Sequence, residues 1–336
     1  MPLEIPGQED NPGRPPAAGP SPYSNRAVES RFRFPLTRSL PIDTIRNVDN
    51  QRCFVQNRPD LRCRTTVSVP APENGSCAEE RSVQGEWRRP RPLWFSHRGY
   101  HETAVENTEA AFRAAVEMGF PGLETDLRLT RDGQIVLLHD ATLARVAGID
   151  REVAGMTRRE LEGIRLRNGE RLLFFDTFVE AFPASFWLLD VKPEGGDATI
   201  AALEGWCARN DFTDRLVAQG SFLFWRRNQE AAFKRRFPTA RCYARRGECI
   251  RTAIALLLRV PVFSGIEAGR IYALPPRIGP ATMFRAPFVH EIHRRGGETI
   301  AFLPQTPQEH RAALRAGFDE ILTNGRIVTE GEGAES

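Results

Sequence analysis

The fold class predicted for this chain is α/β: a (β/α)8 TIM barrel over residues 91–330, preceded by a long, disordered N-terminal extension over residues 1–90. Three observations predict it. From Arg91 onward, short apolar runs alternate with amphipathic segments. Polar and charged residues close one apolar run after another, as they do at the carboxyl ends of barrel strands. The remaining length of about 240 residues is close to that of a typical barrel. A doubly wound open sheet lacks support, because no Gly-x-Gly-x-x-Gly follows the first strand.

The elements follow in order. Leu93–Ser96 is a short apolar strand ending at His97. Glu106-Asn-Thr108 opens a helix in which Ala110, Ala111, Ala114, Ala115 and Met118 recur at helical spacing, and Gly119 and Gly122 punctuate its end. In the strand Leu123–Thr130 side chains alternate faces, so Glu124 and Asp126 point the same way. Asp132-Gly133 is a hairpin-type turn, and Ile135–Leu138 returns to His139. Downstream, Phe186–Leu189 leads to Asp190 and Lys192, and Asp197–Asn210 reads as a helix. Arg215–Ala218 reads as a strand leading to Gln219 and Ser221. Further strands are expected near 240–244, 262–267, 299–303 and 319–323, with helices at 248–259, 282–295 and 307–316.

The extension is distinguished by composition. It holds 13 of the 25 prolines and little periodicity, so it cannot bury enough apolar surface to offset chain entropy. It is therefore expected to be disordered and dispensable. The longest apolar run, Ala253–Leu258, is far short of the roughly 20 residues of a membrane span. No signal peptide is evident, and the six cysteines show no CxxC or zinc spacing, so a reduced, cytoplasmic protein is expected. The net charge of +3 is small, and Arg226-Arg227 and Lys234-Arg235-Arg236 read as a solvated helix face. No nucleic-acid partner is expected. The sequence is silent on oligomeric state.

Function is argued from the clustered strand ends. Glu124, Asp126 and Asp190 supply three hard oxygen ligands without a nearby cysteine, which favours Mg²⁺ or Ca²⁺ over zinc. Such an ion neutralises a phosphate oxygen as charge develops. His97 and His139 suit acid–base roles, because histidine titrates near neutrality. Arg98 and Lys192 could hold non-bridging phosphate oxygens. Each has an ordinary alternative: a capping histidine, a solvent-facing strand edge, or an exposed Asp190–Lys192 salt bridge worth little. Their joint placement favours metal-assisted hydrolysis of a small phosphodiester. A serine hydrolase is disfavoured, because Ser221 lacks the G-x-S-x-G elbow.

The run His97-Arg-Gly99, Glu106-Asn-Thr108, Glu124-x-Asp126, Asp132-Gly133 and His139-Asp140 resembles the glycerophosphodiester phosphodiesterase family. Weaker similarity continues through Asp190-Val-Lys192, Gln219-Gly-Ser-Phe222 and Gly317–Asn324. The resemblance implies a TIM-barrel enzyme that hydrolyses glycerol-3-phospho-alcohols to glycerol 3-phosphate and an alcohol. It implies His97 and His139 as the acid–base pair and Glu124, Asp126 and Asp190 as ligands of a divalent cation. Arg98 and Lys192 would contact the phosphate, with Glu106, Asn107, Gln219 and Ser221 in support. A neighbouring substrate hydroxyl would attack phosphorus, and water would open the cyclic phosphate.

The sequence departs from the family pattern in places. Asp190 stands where the third ligand is usually Glu, which moves the carboxylate by about 1.5 Å. Asp-x-Lys also resembles the sphingomyelinase D enzymes of spider venom, although the gap from His97 to Glu124 favours the glycerophosphodiesterase branch. Val105 replaces a common proline, and Phe302-Leu-Pro-Gln305 replaces a Trp-Thr-Val-Asn stretch. Two alternatives follow. One is a lysophospholipase D or sphingomyelinase D-like enzyme with a lipid-accepting rim formed by Phe222, Phe224, Phe284 and Phe288. The other is a catalytically silent barrel that binds phosphorylated ligands.

Overall fold

The computed structural model describes residues 89–328. The disorder expected before residue 89 therefore falls outside the described residues. Eight strands form the barrel: β1 Leu93–His97, β2 Gly122–Leu129, β3 Phe186–Val191, β4 Gly220–Phe224, β5 Arg241–Tyr243, β6 Arg270–Leu274, β7 Glu298–Phe302 and β8 Glu320–Thr323. Each pairs in parallel with the next. β8 returns to β1, with Leu93 opposite Glu320 and Ser96 opposite Thr323, so the eight parallel strands close into a barrel.

Seven crossover helices cover the outside: α1 Glu109–Glu117, α2 Phe175–Ala181, α3 Gly196–Asn210, α4 Arg227–Arg236, α5 Arg246–Leu257, α6 Ala286–Arg294 and α7 Pro307–Ala316. The period-2 alternation of the strands divides the apolar residues into two cores. Leu93, Phe95, Phe186, Leu188, Tyr243, Ile271, Ile300 and Leu322 fill the barrel interior. Trp94, Leu123, Leu127, Trp187, Leu189, Phe222 and Phe224 point outward and pack with the helix faces. Gly122 is needed for this packing, because a Cβ there would lie 2.6 Å from the Phe95 ring.

Between β2 and β3 the chain makes a long excursion for which the sequence reading named only its first strand. That strand, Ile135–Leu137, pairs antiparallel with the end of β2. The rest closes a satellite core around Leu138, Leu143, Val146, Leu161 and Phe174. This excursion carries His139 and Asp140 to the barrel mouth.

Two expected strands are corrected. Arg215–Ala218 belongs to a helix, Thr213–Gln219, and the strand begins only at Gly220. A short apolar run has no periodicity of its own, so Leu216-Val-Ala218 fits either element until packing decides. The run 262–267 is not a strand either. Pro261–Phe263 forms a 3-10 turn on the surface, and β6 starts at Arg270.

The floor of the barrel is polar. Arg241 lies 3.2 Å from Glu320 and also pairs with Glu298, while the Tyr243 hydroxyl donates to Glu320. Arg89, which the expected boundary at residue 90 leaves outside the barrel, inserts from below. Its guanidinium donates to the carbonyls of Ala218, Gln219 and Gly220 and stacks 4.8 Å from the Phe186 ring.

Candidate active site

At the carboxyl end of β1 the chain turns through Arg98 and Gly99, both at positive φ. Gly99 tolerates this conformation, and a Cβ there would lie 2.6 Å from the Ala111 backbone. The loop folds back on itself: Asn107 N–H donates to Arg98 C=O, and Thr108 caps α1 by accepting from Ala111 N–H. Arg98 (φ 60°) and Asn107 (φ 58°) are non-glycine residues held in the left-handed region, which costs of order 1 kcal/mol each. Both are held by contacts with acidic side chains. Arg98 N–H donates to Glu124 Oε2 at 2.9 Å, and Asn107 Nδ2 donates to Asp126 Oδ2 at 2.9 Å while its Oδ1 accepts from Thr125.

Strand register assembles the acidic residues. His97 lies opposite Glu124, and Asp126 lies opposite Asp190. Glu124, Asp126 and Asp190 are buried, and an oxygen from each lies within 4.8 Å of the others. Lys192 Nζ stands 2.6 Å from Asp126 and 2.7 Å from Asp190. Arg98 Nε lies 3.2 Å from Asp126 Oδ2 without hydrogen-bond geometry, and its Nη1 donates to Glu106 at 3.1 Å. Glu106 in turn pairs with Arg145, which also holds Asp140 at 2.6 Å. The expected phosphate ligands Arg98 and Lys192 thus both stand against carboxylates.

The electrostatics show an excess of negative charge. Burial, reinforced by the Asp126 and Asp190 carboxylates, pushes Glu124 well above the usual carboxylate range. Burial also raises Asp190, with Lys192 opposing. At Asp126 burial is outweighed by Lys192 and Arg98, which hold it low. Three converging carboxylates against two cations, one of them shared with Glu106, leave room for added positive charge. Hard oxygen donors in this pattern fit Mg²⁺ or Ca²⁺.

The two histidines differ in setting. His97 is largely buried, and its Nδ1 faces Asn324 Oδ1 at 2.6 Å. That acceptor assigns the proton to Nδ1 and leaves Nε2, 3.9 Å from Glu124, without one. Burial, then the charge of Arg98, lowers its pKa to about 4. His139 is more exposed: its Nδ1 lies 2.8 Å from Asp140, and its backbone carbonyl accepts two hydrogen bonds from Arg128.

Gln219 and Ser221 are corrected by the register of β4. Ser221 lies opposite Leu188, below Asp190, and Gln219 precedes the strand, where it donates to Pro183 and Ser185 carbonyls. They sit at the opposite end of the strand from the acidic cluster. The residue that reaches it is Trp225, just past the end of β4, whose Nε1 donates to Asp190 Oδ1 at 2.7 Å and whose ring lies 5.7 Å from Lys192 Nζ. Sequence reasoning missed Trp225 and Asn324. Strand parity was the available signal: 221, 223 and 225 share one face, as do 320, 322 and 324. The expected aromatic rim is also corrected. Phe222, Phe224, Phe284 and Phe288 are all buried in the layer beneath the helices.

Residues 97–201 match the Glycerophosphoryl diester phosphodiesterase family. A Mycobacterium tuberculosis protein named "Probable glycerophosphodiester phosphodiesterase 2" is 27% identical over 238 residues, covering 68% of this chain and 86% of its own length. A glycerophosphodiester phosphodiesterase of Caldanaerobacter subterraneus subsp. tengcongensis is 31% identical over 121 residues, covering 34% of this chain and half of that protein. In fold, the chain is similar to the solved glycerophosphoryl diester phosphodiesterase domain of another M. tuberculosis protein. The TM-score is 0.60 at 16% identity, covering 70% of this chain and 97% of that domain. The closed barrel and the acidic cluster at its mouth agree with this likeness to glycerophosphodiester phosphodiesterases, which are phosphoric diester hydrolases.

Proposed function

We propose that this enzyme hydrolyses glycerophosphodiesters to glycerol 3-phosphate and an alcohol, using a divalent cation held by Glu124, Asp126 and Asp190. The observation that carries the reading is the convergence of these buried carboxylates beside a histidine whose Nε2 is free of a proton. A bound Mg²⁺ or Ca²⁺ would supply charge stabilisation at a non-bridging phosphate oxygen. His97 is the base: Asn324 holds its Nδ1–H, so Nε2 can take the proton of an attacking hydroxyl. His139 is the acid toward the leaving alcohol, with Asp140 accepting from Nδ1 and Nε2 left to exchange the proton. Arg98 and Lys192 add positive charge on the phosphate side, and Glu106 and Asn107 keep Arg98 and Asp126 in place.

Burial of the four phenylalanines removes the feature that favoured a lipid-accepting mouth, so small water-soluble glycerophosphodiesters are the preferred substrates. The test is turnover of glycerophosphocholine, glycerophosphoethanolamine and lysophosphatidylcholine with Mg²⁺, Ca²⁺ or EDTA. Release of glycerol 3-phosphate from the first two, abolished by EDTA, is expected. His97→Ala and His139→Ala should each lower kcat by about 10² to 10⁴-fold. Turnover unaffected by EDTA, or near-normal in either variant, would remove the corresponding part of the mechanism.

A further inference from the structure

On the outer face of the barrel, away from the acidic cluster, α5 and the turn after it expose a continuous apolar surface. Ile250, Ile254 and Leu258 recur at helical spacing along the solvent side of the helix, at 45%, 48% and 67% exposure. The chain then adds Val262 and Phe263, exposed at 70% and 72%. Ile250, Ile254, Leu258, Val260 and Phe263 line one shallow groove of about 400 Å³. Folded chains seldom leave this much large apolar side chain in water unless something covers it.

The charges around the patch specify the covering partner. Arg246, Arg251 and Arg259 are exposed along the same stretch, and no carboxylate pairs with them among the described residues. Arg251 is held by the Ser264 and Gly265 carbonyls, which fixes its position without neutralising it. The one carboxylate of the stretch, Glu248, is turned away and spent on Arg245 and Arg270. Arg259 is the most telling. Arg259 N–H bonds to Leu256 C=O and Val260 N–H to Ala255 C=O, the Schellman ending of a helix. The residue between them sits at φ 57°, where glycine is the low-strain choice, yet an arginine occupies it. Local stability argues against arginine here, and the residue stands where the apolar surface is most exposed.

We propose that the α5 face, from Arg246 to Phe263, docks reversibly on anionic phospholipid bilayers, with Leu258, Val262 and Phe263 entering the interface and the three arginines facing lipid phosphates. An apolar stripe bordered by unpaired cations fits that surface. A second copy of the chain would bring arginine against arginine, which disfavours self-association through this face.

The full chain should co-sediment with phosphatidylcholine vesicles containing about one third phosphatidylglycerol, but not with pure phosphatidylcholine, and added salt should reduce binding. Arg259→Gly should weaken vesicle binding about fivefold while leaving Tm unchanged or higher, because glycine relieves the left-handed strain. Phe263→Asp should abolish binding without changing hydrolysis of water-soluble glycerophosphocholine. Failure of the full chain to bind mixed vesicles would overturn the proposal, as would equal binding to neutral ones. Self-association abolished by Phe263→Asp, without vesicle binding, would identify a copy–copy interface and also overturn it.

Discussion

Asp190 is held at both oxygens, Oδ2 by Lys192 and Oδ1 by the Trp225 indole, so its short side chain has a defined direction despite lacking a methylene. Hydrogen bonds that orient a metal-binding carboxylate commonly affect metal affinity by about 10- to 100-fold, and Trp225→Phe removes one while keeping the ring. Divalent-cation binding measured by calorimetry should weaken by that amount in Trp225→Phe, with Tm close to that of the parent. Asp190→Asn should weaken binding further, because it removes an anionic ligand. Calorimetric affinities equal to the parent in Asp190→Asn would remove Asp190 from the cation site. Equality in Trp225→Phe would mean that Lys192 alone orients it.

At the level of elements, α7 is tied to the barrel by His310. Its Nδ1 donates to Thr306 C=O at 2.8 Å, its Nε2 accepts from Thr323 Oγ1 in β8 at 2.8 Å, and its ring stacks on Trp94 of β1. The bonding pattern accommodates a neutral ring, and burial lowers its pKa below the ordinary histidine value. In the unfolded chain the ring takes up a proton near 6.5 that the native state declines. This contribution to stability is therefore complete above that value and is lost as pH falls through the lower folded-state pKa. His310→Gln, which cannot titrate, should show a shallower fall in Tm between neutral and mildly acidic pH than the parent. Parallel Tm–pH curves would exclude His310 as a source of acid sensitivity.

For the whole molecule, the polar floor is expected to stabilise the closed barrel. Arg89 bonds to three backbone carbonyls at the α-to-β4 junction and lies 4.0 Å from Glu320, itself buried with Arg241 and Tyr243. Removing one member of such a buried network leaves the others uncompensated, at a cost of about 3 kcal/mol. A truncated chain beginning at Arg88 should keep the Tm and the turnover of the full chain. One beginning at Pro92, or the full chain with Arg89→Ala, should lose several degrees in Tm while KM stays unchanged, because the floor lies at the opposite end from the acidic cluster. A Tm unchanged in Arg89→Ala would show that the floor closes without it.

Much of this was legible in the sequence, because alternation and helical spacing are local properties. The faces shared by Glu124 and Asp126, and by Asp190 and Lys192, follow from the two-residue period of a strand, and the helix expected at 307–316 has the bounds of α7. Non-local pairing was not legible. Leu216-Val-Ala218 and Val262-Phe263 are apolar runs whose fate depends on what lies against them: one is a helix turn beneath β4, the other an exposed surface. The resulting error in the register of β4 brought Gln219 and Ser221 to the wrong end and concealed Trp225. The sequence by itself determined the barrel, its polar strand ends and the composition of the acidic cluster. Only the tertiary structure decided which cation faces which carboxylate, which histidine nitrogen carries a proton, and which apolar residues stay in water, because each depends on contacts between strands far apart in the chain.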